Sequence, residues 1–491
     1  MSILKKLVGQ TAIYGLSSIV GRLLNFLLVP LYTSIFTPGE YGVLSILMTW
    51  VAFAMVVLSY GLETSFFHFS TKEKNIHKVY TTGVLSLLVS TSLFLLFVLP
   101  QTSTIAELLH IADNSIFVTF LAFIIAFDTM ATLPFARLRL NNKPWKFASV
   151  RVANICLNIG LNLFFFLLCP YLESKGYTNA FFAFIYEPSF GIGYIFVSYL
   201  ASSFITLVLL LPEFFKLKFN FDFALLQKML AYGFPLLIGG LAFVVNEMID
   251  KILLEYLLPA DIASTQVGIY SACYKIAVFM TLFIQAYRYG VEPFFFAQAQ
   301  KKDAKHQYAN LMRYFVAFTG LIFLGVNVYI DTIKEFIRDE SYHEGLQVVP
   351  ILLLANLFLG IYFNLSVWYK VSEKTRYGAY LSVFGALVTL AFNFVLIPSM
   401  SYLGSAYATL VCYFSMCVAS YVLSRKHYPI PYDLKRIFLY LFTAIALYYT
   451  WLIFNQANFF SNYLLSTFLC LVYMFIVLVS EKQKKRSNFM P

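Results

Sequence analysis

Residues 71–100 read TKEKNIHKVYTTGVLSLLVSTSLFLLFVLP. The opening of this stretch carries Lys72, Lys74 and Lys78, whereas residues 79–100 carry no charge at all. A helix of that length is about 33 Å long, enough to cross a hydrocarbon layer of roughly 30 Å. A strand of a membrane barrel would alternate apolar and polar residues, and this run is continuous. The same pattern, a short basic segment and then a long apolar run, recurs from one end of the chain to the other.

Working outward from this segment, fourteen spans are expected: 11–36, 43–67, 79–100, 115–136, 147–169, 191–212, 229–257, 267–296, 308–330, 345–369, 377–398, 402–424, 436–455 and 459–480. Of the 491 residues, 60% are hydrophobic and 12% charged, and the mean hydropathy is +0.75. Soluble domains carry roughly 25% charged residues. The expected fold class is therefore an all-α polytopic membrane protein, which excludes a soluble enzyme, a disordered chain and a secreted disulfide scaffold. The first run is too long for a signal-peptide core and lacks a clear cleavage site. Ile3 to Gly9, with Lys5 and Lys6, reads as a short interfacial helix.

The net charge of +11 points to membrane topology, with no nucleic-acid partner. Basic residues sit in the short connections. With the N-terminus inside, 27 of the 35 Lys and Arg fall on the cytoplasmic side and three (Lys175, Lys334, Arg338) in outer loops. That is a strong positive-inside bias. It puts both termini in the cytoplasm, and a missed span would invert every later loop. Cys156, Cys169, Cys273, Cys412, Cys417 and Cys470 all lie in or beside apolar runs, without metal-ligand spacing; they read as buried packing residues.

The chain also repeats itself. Leu24-Asn25-Phe26 followed by Phe36-Thr37-Pro38 answers to Val245-Asn246-Glu247 followed by Leu257-Leu258-Pro259. Tyr60-Gly61-Leu62-Glu63 with Phe66-Phe67 answers to Tyr289-Gly290-Val291-Glu292 with Phe295-Phe296. Asn142-Lys143-Pro144 answers to Glu373-Lys374-Thr375, and Asn162 to Asn393. Spans 1–6 and 7–12 are thus expected to be two copies. Six is an even number, so both copies enter from the same side, as in transporters built of parallel repeats. The expected organisation is an N-terminal lobe (1–212), a cytoplasmic linker (213–228), a C-terminal lobe (229–424), and spans 13–14 with a basic tail (425–491).

Ten ionisable residues fall within the spans: Arg22, Lys251, Lys275 and Arg288 as cations, and Glu63, Asp128, Glu247, Asp250, Glu255 and Glu292 as acids. Each charge near mid-membrane costs about 2.5–3.5 kcal/mol, so such residues face a protein interior or a wet cavity. All but Asp128 lie on spans 1, 2, 7 and 8. At about 1.5 Å per residue, Arg22 lies near the centre, Lys251 and Lys275 roughly 10 Å outward, and Arg288 roughly 10 Å inward. They are the candidate cavity cations for an anionic ligand. Lys275 and Arg288 are about 140° apart on an ideal helix and share one cavity only if span 8 bends. Glu247, Asp250, Glu292, Glu63 and Asp128 are candidates for tuning those charges or coupling an ion, and Asn25 and Asn246 for the polar lining. The plainer reading is mutual pairing: Glu247, Lys251 and Glu255 are spaced i, i+4, as are Arg288 and Glu292, and Asp128 has Arg137 as a candidate partner. Asn154, Asn158 and Asn162 on span 5 read as helix–helix glue.

Twelve spans in two six-span lobes plus two more resemble the multidrug/oligosaccharidyl-lipid/polysaccharide exporter superfamily, of which the drug-exporting MATE proteins are one branch. Gly21-Arg22-Leu23-Leu24-Asn25-Phe26 through Phe36-Thr37-Pro38-Gly39-Glu40-Tyr41-Gly42 resembles the start of bacterial Wzx-type polysaccharide (O-unit) flippases. That resemblance implies a flippase, not an enzyme. It would move undecaprenyl-pyrophosphate-linked glycan across the bacterial inner membrane for O-antigen, capsule or exopolysaccharide synthesis. It would need no cofactor beyond a coupling H+ or Na+, and its partners would be the bilayer and other polysaccharide-assembly membrane proteins. Lipid II flippases of the superfamily carry an Arg-Asp pair late in span 1; here Leu28 and Val29 stand there, which argues against a peptidoglycan role. Two competitors stand beside this reading. A cation-coupled drug antiporter would rest on a dominant acidic site. A membrane-embedded glycan polymerase or ligase would need catalytic groups in an outer loop, and 331–344 is short.

Overall fold

The computed structural model describes residues 23–24, 26–73, 75–177, 179–215, 217, 220–299, 301–455 and 459–487. Among them every regular element is helical, and twelve helices are long and apolar enough to span a membrane. One of these, Arg376–His427, has 52 residues, about 78 Å of helix and too long for one crossing. It folds back at Ser401, where φ is 50° and ψ −135°. Ser405 Oγ then donates to Asn393 Oδ1 at 3.0 Å, Cys412 Sγ lies 3.4 Å from Gly385 O, and Tyr377 OH lies 3.1 Å from His427 Nε2. Those pairs fit only an antiparallel hairpin, so this element holds both spans 11 and 12. Span 1 is described from Leu23 onward, with its last turns as Val29–Ile35; the expected interfacial helix at 3–9 lies outside the described residues. The protein is a polytopic all-α membrane protein.

The Thr-Pro-Gly-Glu stretch is a helix start. Thr37 caps Pro38–Ser59: its Oγ1 accepts from Glu40 N at 3.4 Å, and Glu40 Oε2 accepts from Thr37 N at 2.9 Å. With Pro38 at the first helical position this is a reciprocal capping box.

The chain forms two compact units, Met1–Ile252 and Leu253–Pro491. The division falls near the end of span 7, Phe223–Leu257, because most of that helix belongs to the packing of unit 1. Gly233 meets the break in span 2 at Gly61, where a Cβ added to Gly61 would lie 2.6 Å from Gly233 O. Ser65 Oγ donates to Met229 O at 2.9 Å, and Met229 joins Leu62, Phe66, Val79, Tyr80 and Leu133 in a buried cluster. In unit 2, spans 13 and 14 (Leu434–Phe454 and Phe459–Ser487) pack on span 9. Tyr473 OH donates to Ala317 O at 3.0 Å and Ser466 Oγ to Val328 O at 2.7 Å.

The repeat is legible in backbone detail. Asn142 and Glu373 both have positive φ, 52° and 58°. In each connection the next amide reaches back five residues, Lys143 N to Leu138 O and Lys374 N to Tyr369 O. Asn162 and Asn393 are both fully buried and both donate to the carbonyl four residues earlier, at 2.8 Å. Phe66 packs edge-on against Tyr80 at 5.9 Å, and Phe295 against Tyr308 at 5.2 Å. All six cysteines are free, four of them buried; Cys156, however, is exposed, which corrects the expectation of uniform burial. Its position on span 5 turns outward from the face carrying Asn154, Asn158 and Asn162.

Candidate functional site

Arg22 and Asn25 lie outside the described residues. The other candidates distribute over the two units. In unit 1, span 7 carries Asn246 and Asp250, both buried, each followed by a half-buried charge, Glu247 and Lys251. Asp250 Oδ1 accepts the Lys251 amide at 2.9 Å. In unit 2, Lys275 is half-buried on span 8, and Glu255 accepts from Ser264 Oγ at 3.0 and 3.2 Å across the turn between spans 7 and 8. The helix Ala260–Gln298 runs unbroken through both Lys275 and Arg288.

The two acids of the repeated tetrapeptide form equivalent contacts. Glu63 pairs with Arg139 at the end of span 4, and the Arg139 guanidinium lies 5.1 Å from the centre of the Phe67 ring. Glu292 pairs with Lys370 at the end of span 10, Nζ to Oε1 2.7 Å, and more loosely with Arg288 at 3.5 Å. Arg139 and Lys370 are the same offset apart as Asn162 and Asn393, so both copies tie the second half of their second span to the end of their fourth. Each contact lies within a single unit.

Asp128 departs from its expected partner. It is half-buried on span 4, with Ser203 and Arg151 among its polar neighbours. Arg137 turns elsewhere: it lies over Tyr80 at 4.3 Å, donates to Glu213 O at 3.2 Å, and faces the Glu213 carboxylate, which Lys146 Nζ approaches to 3.0 Å. Glu213 is fully buried, and the sequence reading missed it because span 6 was expected to end at 212. The signal was the acid in the apolar run Leu210-Leu211-Pro212-Glu213-Phe214. Unit 2 has a second buried network, in which Arg313 contacts Glu481 at 2.7 Å and Asp433 at 4.0 Å. Buried charges persist only when paired, and both networks obey that rule. The span 5 asparagines act between helices as expected: Asn154 donates to Thr206 Oγ1 at 2.9 Å and Tyr32 OH to Asn162 Oδ1 at 2.9 Å.

Outside the spans, Lys78 Nζ lies 2.5 Å from Asp222 and holds that carboxyl below the usual carboxylate range. In 331–344, Asp339 and His343 are engaged in local turns: Asp339 accepts from Ser341 N at 2.7 Å and His343 Nε2 contacts Ile337 O at 2.8 Å. Among the described residues no group of His, Cys, Asp and Glu is arranged to hold a metal ion.

Twelve helices long and apolar enough to cross a membrane, carrying ionisable side chains that pair within each unit, define a polytopic membrane protein. The family model described as polysaccharide biosynthesis protein matches residues 7–291, more than half of the chain, so the chain belongs to that family. The MatE family model matches residues 235–395. The chain is similar in fold to a solved lipid II flippase, MurJ, in an inward closed conformation, with TM-score 0.73, 12% identity, and coverage of 94% of this chain and 98% of that one. It is also similar to an inward-facing multidrug resistance MATE transporter, with TM-score 0.66, 11% identity, and coverage of 83% and 94%. A MATE transporter of Vibrio cholerae, VcmN, aligns at TM-score 0.55 and 14% identity, covering 86% and 96%. No curated protein matches the sequence. The expected superfamily resemblance is borne out.

Proposed function

We propose that the protein is a flippase for undecaprenyl-pyrophosphate-linked oligosaccharide, moving finished units from the inner to the outer leaflet of the bacterial cytoplasmic membrane. The observation that carries this reading is the polysaccharide biosynthesis match over residues 7–291. The fold, shared along 94% of the chain with a lipid II flippase, supports it. The chemistry is coherent. A pyrophosphate and its sugars cannot enter hydrocarbon unaided, while the polyprenyl tail can remain there. Charge-assisted hydrogen bonds from Arg and Lys replace the water around the phosphates. Arg22, Lys251, Lys275 and Arg288 take that role, and alternating access carries the head group across. Asp250, Glu247, Asp128, Glu63 and Glu292 tune those charges or bind a coupling H+ or Na+. Both termini are cytoplasmic, and the finished units pass to other polysaccharide-assembly membrane proteins.

Deletion in the native host tests the reading, with surface glycan and polyprenyl-pyrophosphate oligosaccharides measured together. Loss of surface glycan with accumulation of finished lipid-linked units on the inner leaflet is the expected result. Normal glycan with altered drug or toxin sensitivity would sink it. The MatE match over 235–395 favours a second reading, a cation-coupled antiporter. In that case Asp250→Asn or Asp128→Asn abolishes transport while Arg22→Ala barely matters.

A further inference from the structure

The two copies of the repeat differ by one charge. In unit 1, Glu63 faces Arg139, and the residue four before the acid is Ser59. In unit 2, Glu292 faces Lys370, and the residue four before it is Arg288. Over these residues the first copy sets one cation against one acid, and the second two cations against one acid.

That extra cation is only loosely paired. Lys370 takes Glu292 Oε1 at 2.7 Å, leaving Arg288 at 3.5 Å from the same oxygen. The guanidinium carbon lies 4.0 Å from the centre of the Phe363 ring, which fixes its plane without using a proton. Arg288 Nε is buried and makes no hydrogen bond among the described residues, while 37% of the side chain remains exposed. Beside it Tyr287 OH donates to Asn364 Oδ1 at 2.7 Å, which pins span 8 to span 10 at this level. A rigid guanidinium with unspent donors and a surplus charge suits a bidentate phosphate oxygen pair.

We infer that Lys370 is a positioning residue. By taking the shorter contact with Glu292 it leaves Arg288 only loosely paired and able to turn to the phosphate of the lipid-linked substrate at the inner end of span 8. The inference rests on the flippase reading and names the residue that sets the charge balance of one of its binding cations. Without Lys370, Glu292 pairs with Arg288 alone and competes more strongly with phosphate; removing that acid as well restores the surplus charge.

The test is binding of undecaprenyl pyrophosphate to the purified full-length protein, with undecaprenol as the uncharged control, by native mass spectrometry. Loss of one charge-assisted contact corresponds to roughly a ten- to hundredfold weakening, expected for both Arg288→Ala and Lys370→Ala. The double variant Lys370→Ala/Glu292→Gln is expected to recover most of the affinity, which a merely structural role for Lys370 would not allow. Undiminished binding by Lys370→Ala, or a double variant as weak as the single, overturns the inference and leaves the flippase reading intact. A wild-type protein that binds both lipids equally takes down both.

Discussion

Tyr60-Gly61-Leu62-Glu63 and Tyr289-Gly290-Val291-Glu292 are near-identical tetrapeptides at matching places in the two copies, and their backbones differ. In unit 1 the helix breaks. Tyr60 and Gly61 take left-handed conformations at φ 31° and 72°, and a new helix starts at Leu62. In unit 2 the helix Ala260–Gln298 passes straight through Gly290, and a Cβ there would meet nothing within 4 Å. The local sequence is therefore not what breaks span 2. The difference lies in Gly233, whose backbone sits against that of Gly61 so closely that a Cβ at Gly233 would lie 2.7 Å from Tyr60 O. The acid three residues after each tyrosine keeps a cation at the end of the fourth span in both cases. Side-chain pairing has been retained across the repeat while the backbone path has not.

The sharpest way to break this comparison is to put alanine at both glycines. Gly61→Ala forces a side chain into a left-handed site and against the Gly233 carbonyl, and is expected to cost about 3 kcal/mol or more. Gly290→Ala sits in an open helix interior and is expected to stabilise by about 0.5–1 kcal/mol. Thermal unfolding of the purified variants should move in opposite directions. Equal losses would mean that the break in span 2 is not held by the contact with Gly233.

The second contrast concerns the paired acids. The side chains of Glu63 and Arg139 are 39% and 34% exposed, and those of Glu292 and Lys370 38% and 27%. Pairs this open contribute about 1 kcal/mol or less, so Arg139→Ala and Lys370→Ala should lower stability slightly and equally. Their effects on pyrophosphate-lipid affinity should differ, with only Lys370→Ala producing the large loss. Equal effects on affinity would show that the surplus charge of unit 2 does not distinguish the copies.

The third contrast lies in the connections at Asn142 and Glu373, φ 52° and 58°. A left-handed residue costs an ordinary side chain roughly 1–2 kcal/mol, but asparagine is several-fold enriched there. Glu373→Gly should stabilise by about 0.5 kcal/mol once the added freedom of the unfolded chain is subtracted, and Asn142→Gly should be close to neutral.

How much of this was legible in the sequence depends on the physical range of each effect. Spans follow from run length, and the charged loops check their number, because a bilayer imposes the same requirement on every segment. The repeat was visible in Tyr60 to Glu63 because polar and glycine matches are rare among apolar helices. The hairpin at Ser401 was readable from span length, although the helical hydrogen bonding runs on through it. Glu213 was missed by a single residue at an expected boundary. The partner of Asp128 was misread because Arg137, nine residues on along the same helix, is drawn away by that unanticipated acid. The break at Gly61 could not have been read locally, since it depends on a glycine more than 170 residues later.

The smallest expected effect concerns the entry to span 7, at the start of the helix Phe223–Leu257. Asp222 accepts the Leu225 amide at 3.0 Å and pairs with Lys78. Asparagine at 222 keeps the capping oxygen and loses the ion pair, so Asp222→Asn isolates the pairing with Lys78. The folded-state pKa of Asp222 is lowered, chiefly by the Lys78 hydrogen bond. The stabilisation is then present above the unfolded carboxylate value, near about 4, and is lost as pH falls through the lower folded value. The variant should melt slightly below wild type at neutral pH, and the two should converge as the solution is acidified. A gap that widens on acidification would reverse the sign of the linkage and remove Lys78 as its cause.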